Sequence, residues 1–333
     1  MNSGIGESRF KIFITVLGRA LFGFPGESMK KSFSKIFITI ILIITFSCRN
    51  STGYDFERTK VKINNQQFEI LTAYKIFDDY ITNKSDYNGN IFLKIKNEFN
   101  HNAEYSFILD AIKDEIKPDE DLEKEIKIMR SIDFVSIVDS IYQKVTKELP
   151  GPDTKILFIP TNPAYRKIYK QYGVGLHSFT LGTGRIIVSF DPTFENWKEL
   201  LPYTLAHEYH HSVWTSKHFE TADFTPLEYI IIEGRADLFA YGIYPVTNHP
   251  FINKLDKKNE KRIWNLIKPE MNKRNSKLND QIFYGTKDIP YGSVYTIGYN
   301  IIKLFKVNNP GITDAELIDM SPEEILSLSK YDE

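Results

Sequence analysis

The chain has 333 residues, 42% of them hydrophobic and 14% aromatic, which supplies a full core and excludes the low-hydrophobicity, high-charge profile of a disordered protein. Its 42 basic and 43 acidic residues nearly cancel, so nothing suggests a sequence-independent attraction to phosphate, and nucleic acid is not expected as a partner. The single cysteine excludes an internal disulfide framework and every zinc site built on paired thiolates, which leaves histidines and carboxylates to hold any metal.

From the N-terminus, residues 1–28 precede a segment that should itself begin a chain, and they read as an overextended start ahead of Met29. Residues 29–47 have the form of a signal peptide: basic Lys30, Lys31 and Lys35, an apolar and threonine run over 36–46, then Ser47 and Cys48. This resembles a bacterial lipoprotein signal, which implies that Cys48 becomes the lipidated first residue and that the mature protein sits at the cell envelope. The bland alternative is an uncleaved anchor, but about 11 apolar residues fall short of the roughly 20 needed to span a bilayer. Residues 48–67 are polar and read as a tether, and the fold is expected over 68–330.

Within that fold, 68–150 reads mainly as helices. The windows 103–117 and 119–148 place apolar residues at three- and four-residue spacings, and Leu149-Pro150-Gly151-Pro152 ends them. Over 151–330, strands are expected at 155–159, 178–181 and 185–190, the last two joined by Gly182-Thr183-Gly184 into a hairpin. Helices follow over 195–214, 226–244, 291–306 and, shorter, 314–328, while 254–277 reads as a solvated helix and loop. Helices, then a small sheet, then helices make the chain α+β, without the alternation of a parallel nucleotide-binding sheet.

The chemistry concentrates in His207-Glu208-Tyr209-His210-His211. On a helix, positions i and i+4 lie one above the other, so His207 and His211 reach a single ion. Glu208 is carried beside that ion, the position of a general base acting on water whose pKa zinc has lowered. A catalytic zinc site needs a third protein ligand. Glu233, behind the apolar Ile230-Ile231-Ile232, supplies an inward carboxylate that requires a metal or a cation; the plain reading is a salt bridge to Arg235 or Lys217. Asp237, one turn on, can accept the free ring N–H of a liganding histidine, with His207 as the expected partner. His210 and His218 are expected off the metal.

The His-Glu-x-x-His helix followed by Glu-x-x-x-Asp resembles the gluzincin clan of metallopeptidases. More narrowly, these two segments with Tyr295-Thr296-Ile297-Gly298-Tyr299 are similar to the YjaZ-like family of predicted zinc-dependent proteases. The resemblance implies a zincin-like fold, zinc as cofactor, and a peptide or protein substrate. In that fold the strand 185–190 would lie at the sheet edge beside the active-site helix and pair with an extended peptide; a core hairpin is the alternative. Tyr295 or Tyr299 would present a phenol to the developing oxyanion, unless both belong to the core. A non-catalytic lipoprotein of the same fold, serving as a binding or assembly module, is the competing function, and hydrolysis of a cell-wall amide is a third.

Overall fold

The computed structural model describes residues 55–333 apart from 84–85, 100–102, 114–115, 117–119, 162–170, 172–173 and 248. Cys48, the signal segment 29–47 and residues 1–28 lie outside the described residues. Among the described residues no helix is long and apolar enough to cross a membrane.

The chain order is β1 (Glu57–Ile63), β2 (Gln66–Thr72), α1 (Tyr74–Asn83), α2 (Leu93–Phe99), a 3-10 turn (Ser106–Ile112), α3 (Glu120–Met129), α4 (Phe134–Glu148), β3 (Thr154–Pro160), β4 (Leu176–Gly182), β5 (Arg185–Phe190), α5 (Trp197–His218), α6 (Pro226–Ile243), α7 (Lys257–Ile267), α8 (Ser276–Tyr284), α9 (Ser293–Asn308), α10 (Asp314–Leu317) and α11 (Pro322–Ser329). The class is α+β, with a five-stranded sheet in the order β1-β2-β3-β5-β4.

Several expectations change. Residues 57–67, read as the end of a tether, form β1 and the start of β2, paired antiparallel with Ile63 opposite Gln66. The charges that made this stretch look like linker, Arg58, Lys60 and Lys62, stand on the exposed side of an edge strand, while Ile63, Phe68 and Ile70 enter the core. Among the described residues of 103–117, the expected helix is the 3-10 turn Ser106–Ile112. The long helix over 119–148 breaks at 130–133, because Asp133 turns its carboxylate onto Ser136 N (3.0 Å) and starts α4 as an N-cap. Helix α7 is not merely solvated: Ile263, Trp264 and Ile267 are buried.

The strand 185–190 is not the sheet edge. β5 is a continuous apolar run, Ile186-Ile187-Val188, covered on both faces and hydrogen-bonded to β3 (parallel) and β4 (antiparallel), as a central strand requires. The edge beside α5 is β4, whose side chains Ser178 and Thr180 face that helix. The hairpin turn uses Gly182 (φ 124°) and Gly184 (φ 66°), and Gly184 N donates to Ser212 Oγ of α5 at 2.6 Å, fixing the helix against the strand pair.

Helix α6 starts with a capping box, Thr225 and Glu228 each binding the other's backbone N–H, with Pro226 in the first turn. It is buried around most of its circumference. Leu227, Ile230 and Ile231 join one apolar cluster with α7, α8, α9 and α11, while Phe239 and Ala240 join a second that contains the sheet and α1–α5. The candidate site lies along this helix, where it faces α5.

Candidate metal centre

Helix α5 presents Tyr203, His207 and His211 at successive i, i+4 positions, and α6 presents Tyr229, Glu233 and Asp237 in the same way. The two stripes meet rung by rung. His207 Nε2 and His211 Nε2 lie 2.9 Å apart, and each faces Glu233 Oε2, at 3.4 and 3.5 Å. His207 Nδ1 lies 2.9 Å from Asp237 Oδ1, which also accepts from the Tyr203 hydroxyl at 2.6 Å. Sequence reasoning placed His207, His211, Glu233 and Asp237 here; it missed Tyr203, whose i−4 relation to His207 was the available signal.

The salt-bridge alternative for Glu233 does not occur. Arg235 points the other way and donates to the Ile318 carbonyl at 3.2 Å and to that of Met320, and Lys217 pairs with Asp319 at 3.3 Å. Glu233 Oε2 is buried and receives no hydrogen bond, although two imidazole nitrogens converge on it. Such an acceptor is costly unless a cation completes it. Three donors of N, N and O type, each offering one atom within 4.8 Å of the others, suit a zinc ion with a coordination position left for water. The residues therefore fit the metal.

The buried carboxylates and imidazoles set one another's charge. Burial favours a neutral Glu233, but the two imidazoles outweigh it and hold the carboxyl at about 2. Burial likewise opposes charge on His207, and Asp237 and Glu233 overcome it, so the ring is held well above the ordinary histidine range. His210, off the His207/His211 stripe of α5, is pushed well below that range by burial, then by His211 and Arg235; it packs against Phe239 of α6 at 5.5 Å and belongs to the core rather than the metal. His218 pairs with Asp319 at 2.7 Å on the surface.

Glu208 stands beside the three ligands and not among them. Ser178 Oγ donates to its Oε1 at 2.7 Å, and Thr180 Oγ1 lies 2.7 Å from both its Oε2 and its backbone carbonyl, sharing one proton between them, so hydroxyls from β4 meet both carboxylate oxygens. No sequence pattern marks these two residues, because the contact joins a strand to a helix 28 or more positions away.

The two tyrosines of α9 part company. Tyr295 is the one at the site: its ring lies 6.3 Å from that of His207 and stacks on Phe251 at 5.5 Å. Tyr299 is buried one turn further on, edge-on to Tyr241 at 5.7 Å. Tyr229, unremarked in the sequence, is a second phenol near Glu233. In both Tyr229 and Tyr295 burial, and after it the Glu233 charge, raises the pKa well above the usual phenol value, so each keeps its proton.

Among solved structures, the chain is similar to an aminopeptidase N family protein from Idiomarina loihiensis, with a TM-score of 0.37 and 11% identity over 84% of this chain and 42% of that one. This chain thus spans less than half the length of that protein. No curated protein matches it. The family described as "Predicted Zn-dependent protease (DUF2268)" matches residues 134–327, from the start of α4 into α11 and across the whole metal centre, and the chain belongs to that family.

Proposed function

We propose that this protein is a zincin-like, gluzincin-type metallopeptidase that hydrolyses peptide bonds at the bacterial cell envelope, held there by a lipid on Cys48. The observation that carries the catalytic part is the position of Glu208. A closed structural zinc site has four protein ligands and no use for a base, whereas here a carboxylate is oriented beside a three-ligand set. His207, His211 and Glu233 would hold the zinc, with Asp237 fixing the His207 ring. When bound, zinc supplies a Lewis acid and lowers the pKa of water toward neutrality.

The chain's own residues do the rest. Glu208 takes a proton from the attacking water as the O–C bond forms, and returns it to the amine as the C–N bond breaks. Tyr295, whose ring lies 6.3 Å from that of His207, would donate a hydrogen bond to the carbonyl oxygen as it gains charge, with Tyr299 one turn away on the same helix. The substrate is a peptide or protein in extended form, aligned on the edge strand β4.

The test compares wild type, Glu208→Gln and His211→Ala for zinc content and for cleavage of a mixed peptide pool. Glu208→Gln should keep its zinc and lose about 10² to 10⁴ in rate, and His211→Ala should lose both. A zinc-loaded wild type that cleaves nothing in a broad pool would instead favour the binding-module reading.

A further inference from the structure

Strand β4 carries two kinds of recognition on the same residues. In an antiparallel ladder, alternate residues turn their backbone groups to the partner strand and away from it. Asp191 N donates to Gly175 O at 2.6 Å, which marks the pair Gly175–Asp191 as facing inward; continuing the register through His177–Ser189 and Phe179–Ile187, the backbones of His177 and Phe179 also face β5. Leu176, Ser178 and Thr180 therefore turn their N–H and C=O groups to the outer edge of the sheet. The side chains of Ser178 and Thr180 point at α5, where their hydroxyls hold the two oxygens of Glu208. Thr180 Oγ1 also lies 2.7 Å from the Glu208 carbonyl, so its hydroxyl spans the backbone and the carboxylate of the same residue.

From this arrangement we infer that Ser178 and Thr180 are positioning residues: they set the Glu208 carboxylate in register with a peptide that pairs, through the backbone of these same two residues, with the outer edge of β4. The inference rests on the hydrolytic reading above and adds to it the part that aligns base and substrate. One strand fixes the base on its helix-facing side and the scissile bond on its edge, so a shift of the strand moves both together. Without the hydroxyls, Glu208 has other rotamers open to it, and a misplacement of about 1 Å is enough to cost on the order of 10²-fold in rate.

The experiment uses the zinc-loaded full-length chain, with Ser178→Ala, Thr180→Val, the double variant and the conservative Thr180→Ser, assayed on a fluorogenic peptide that the wild type cleaves. The double variant should lose about 10- to 100-fold in kcat with KM unchanged within about 2-fold, and Thr180→Ser should recover most of the loss, because it restores the hydroxyl. Zinc content should equal that of wild type. A second measurement needs no turnover: in metal-free protein, Ser178→Ala, which removes a bond to the carboxylate alone, should lower the melting temperature clearly when Glu208 is present and much less on a Glu208→Ala background.

A double variant with wild-type kcat, or a stability effect of Ser178→Ala that is the same on both backgrounds, overturns the inference while Glu208→Gln remains inactive. If Glu208→Gln itself cleaves as fast as wild type, or if wild type cleaves no peptide, the hydrolytic reading fails and the positioning role falls with it.

Discussion

Gly234 of α6 and Gly298 of α9 meet backbone to backbone: a Cβ on Gly234 would lie 2.3 Å from the Gly298 carbonyl carbon, and one on Gly298 would lie 2.3 Å from the Ile230 carbonyl oxygen. No side chain intervenes, so the two helices meet through their backbones, with Glu233 next to Gly234 and Tyr295 one turn before Gly298, near His207. Gly298→Ala should therefore force the helices apart, costing about 3 kcal/mol and lowering the melting temperature by about 5–10 °C. Gly242→Ala, at an exposed position of α6 with nothing within 4 Å, should leave the melt unchanged or raise it slightly. Equal melts for Gly298→Ala and wild type would show that α9 does not depend on this contact.

Asp237 is joined to the candidate metal site through His207, and it is itself held by Tyr203. Asp237→Asn should weaken zinc binding about 10- to 100-fold, and Tyr203→Phe by less, since it removes one bond to the carboxylate and leaves the charge. Competition against a chromogenic chelator measures both. Affinities equal to wild type would mean that the His207 ring is oriented by packing alone.

How much of this could be read from the sequence follows from the range of each interaction. The four residues His207, His211, Glu233 and Asp237 obey the period of a helix, and the period is local, so their faces were legible without the fold. Tyr203 and Tyr229 obey it too, but an isolated aromatic at i−4 looks the same whether it supports a site or fills a core. Ser178 and Thr180 were not legible because strand and helix meet only in three dimensions. The misassignment of 185–190 as the edge came from treating the hairpin as an isolated pair. The parallel neighbour β3 was recognised as a strand, but its partnership with β5 depends on a crossover that no short window contains. β1 was missed because its alternating charges are the pattern of an edge strand and equally that of a linker.

His177, on the side of β4 away from Glu208, packs against Phe179 at 5.1 Å, and burial pushes its imidazole down to about 4. An unfolded histidine titrates near 6.5, so the unfolded chain takes up this proton first. The contribution of the buried neutral ring is complete above pH 6.5 and is lost as pH falls toward 4, on the order of 2 kcal/mol once partial exposure is allowed for. Urea unfolding at pH 7 and pH 4.5 should show a smaller difference for His177→Gln than for wild type. An undiminished difference would place the acid sensitivity elsewhere.

Cys48→Ser should release the protein from membranes or leave an uncleaved precursor, and it should abolish labelling by a clickable fatty acid. Labelling that survives the substitution would exclude Cys48 as the lipidated residue.

The two outer strands of the sheet are not alike. β1 shows solvent a row of charges, Arg58, Lys60 and Lys62, the usual defence of an exposed edge against pairing with another chain. β4, Leu-His-Ser-Phe-Thr-Leu-Gly, has no Asp, Glu, Lys or Arg, and among the described residues its outer edge is met at the far end, where Tyr105 N donates to Leu181 O at 3.2 Å. An edge open to a foreign strand is also open to strands from copies of the same chain. Self-association through β4 is thus the hazard that accompanies this arrangement.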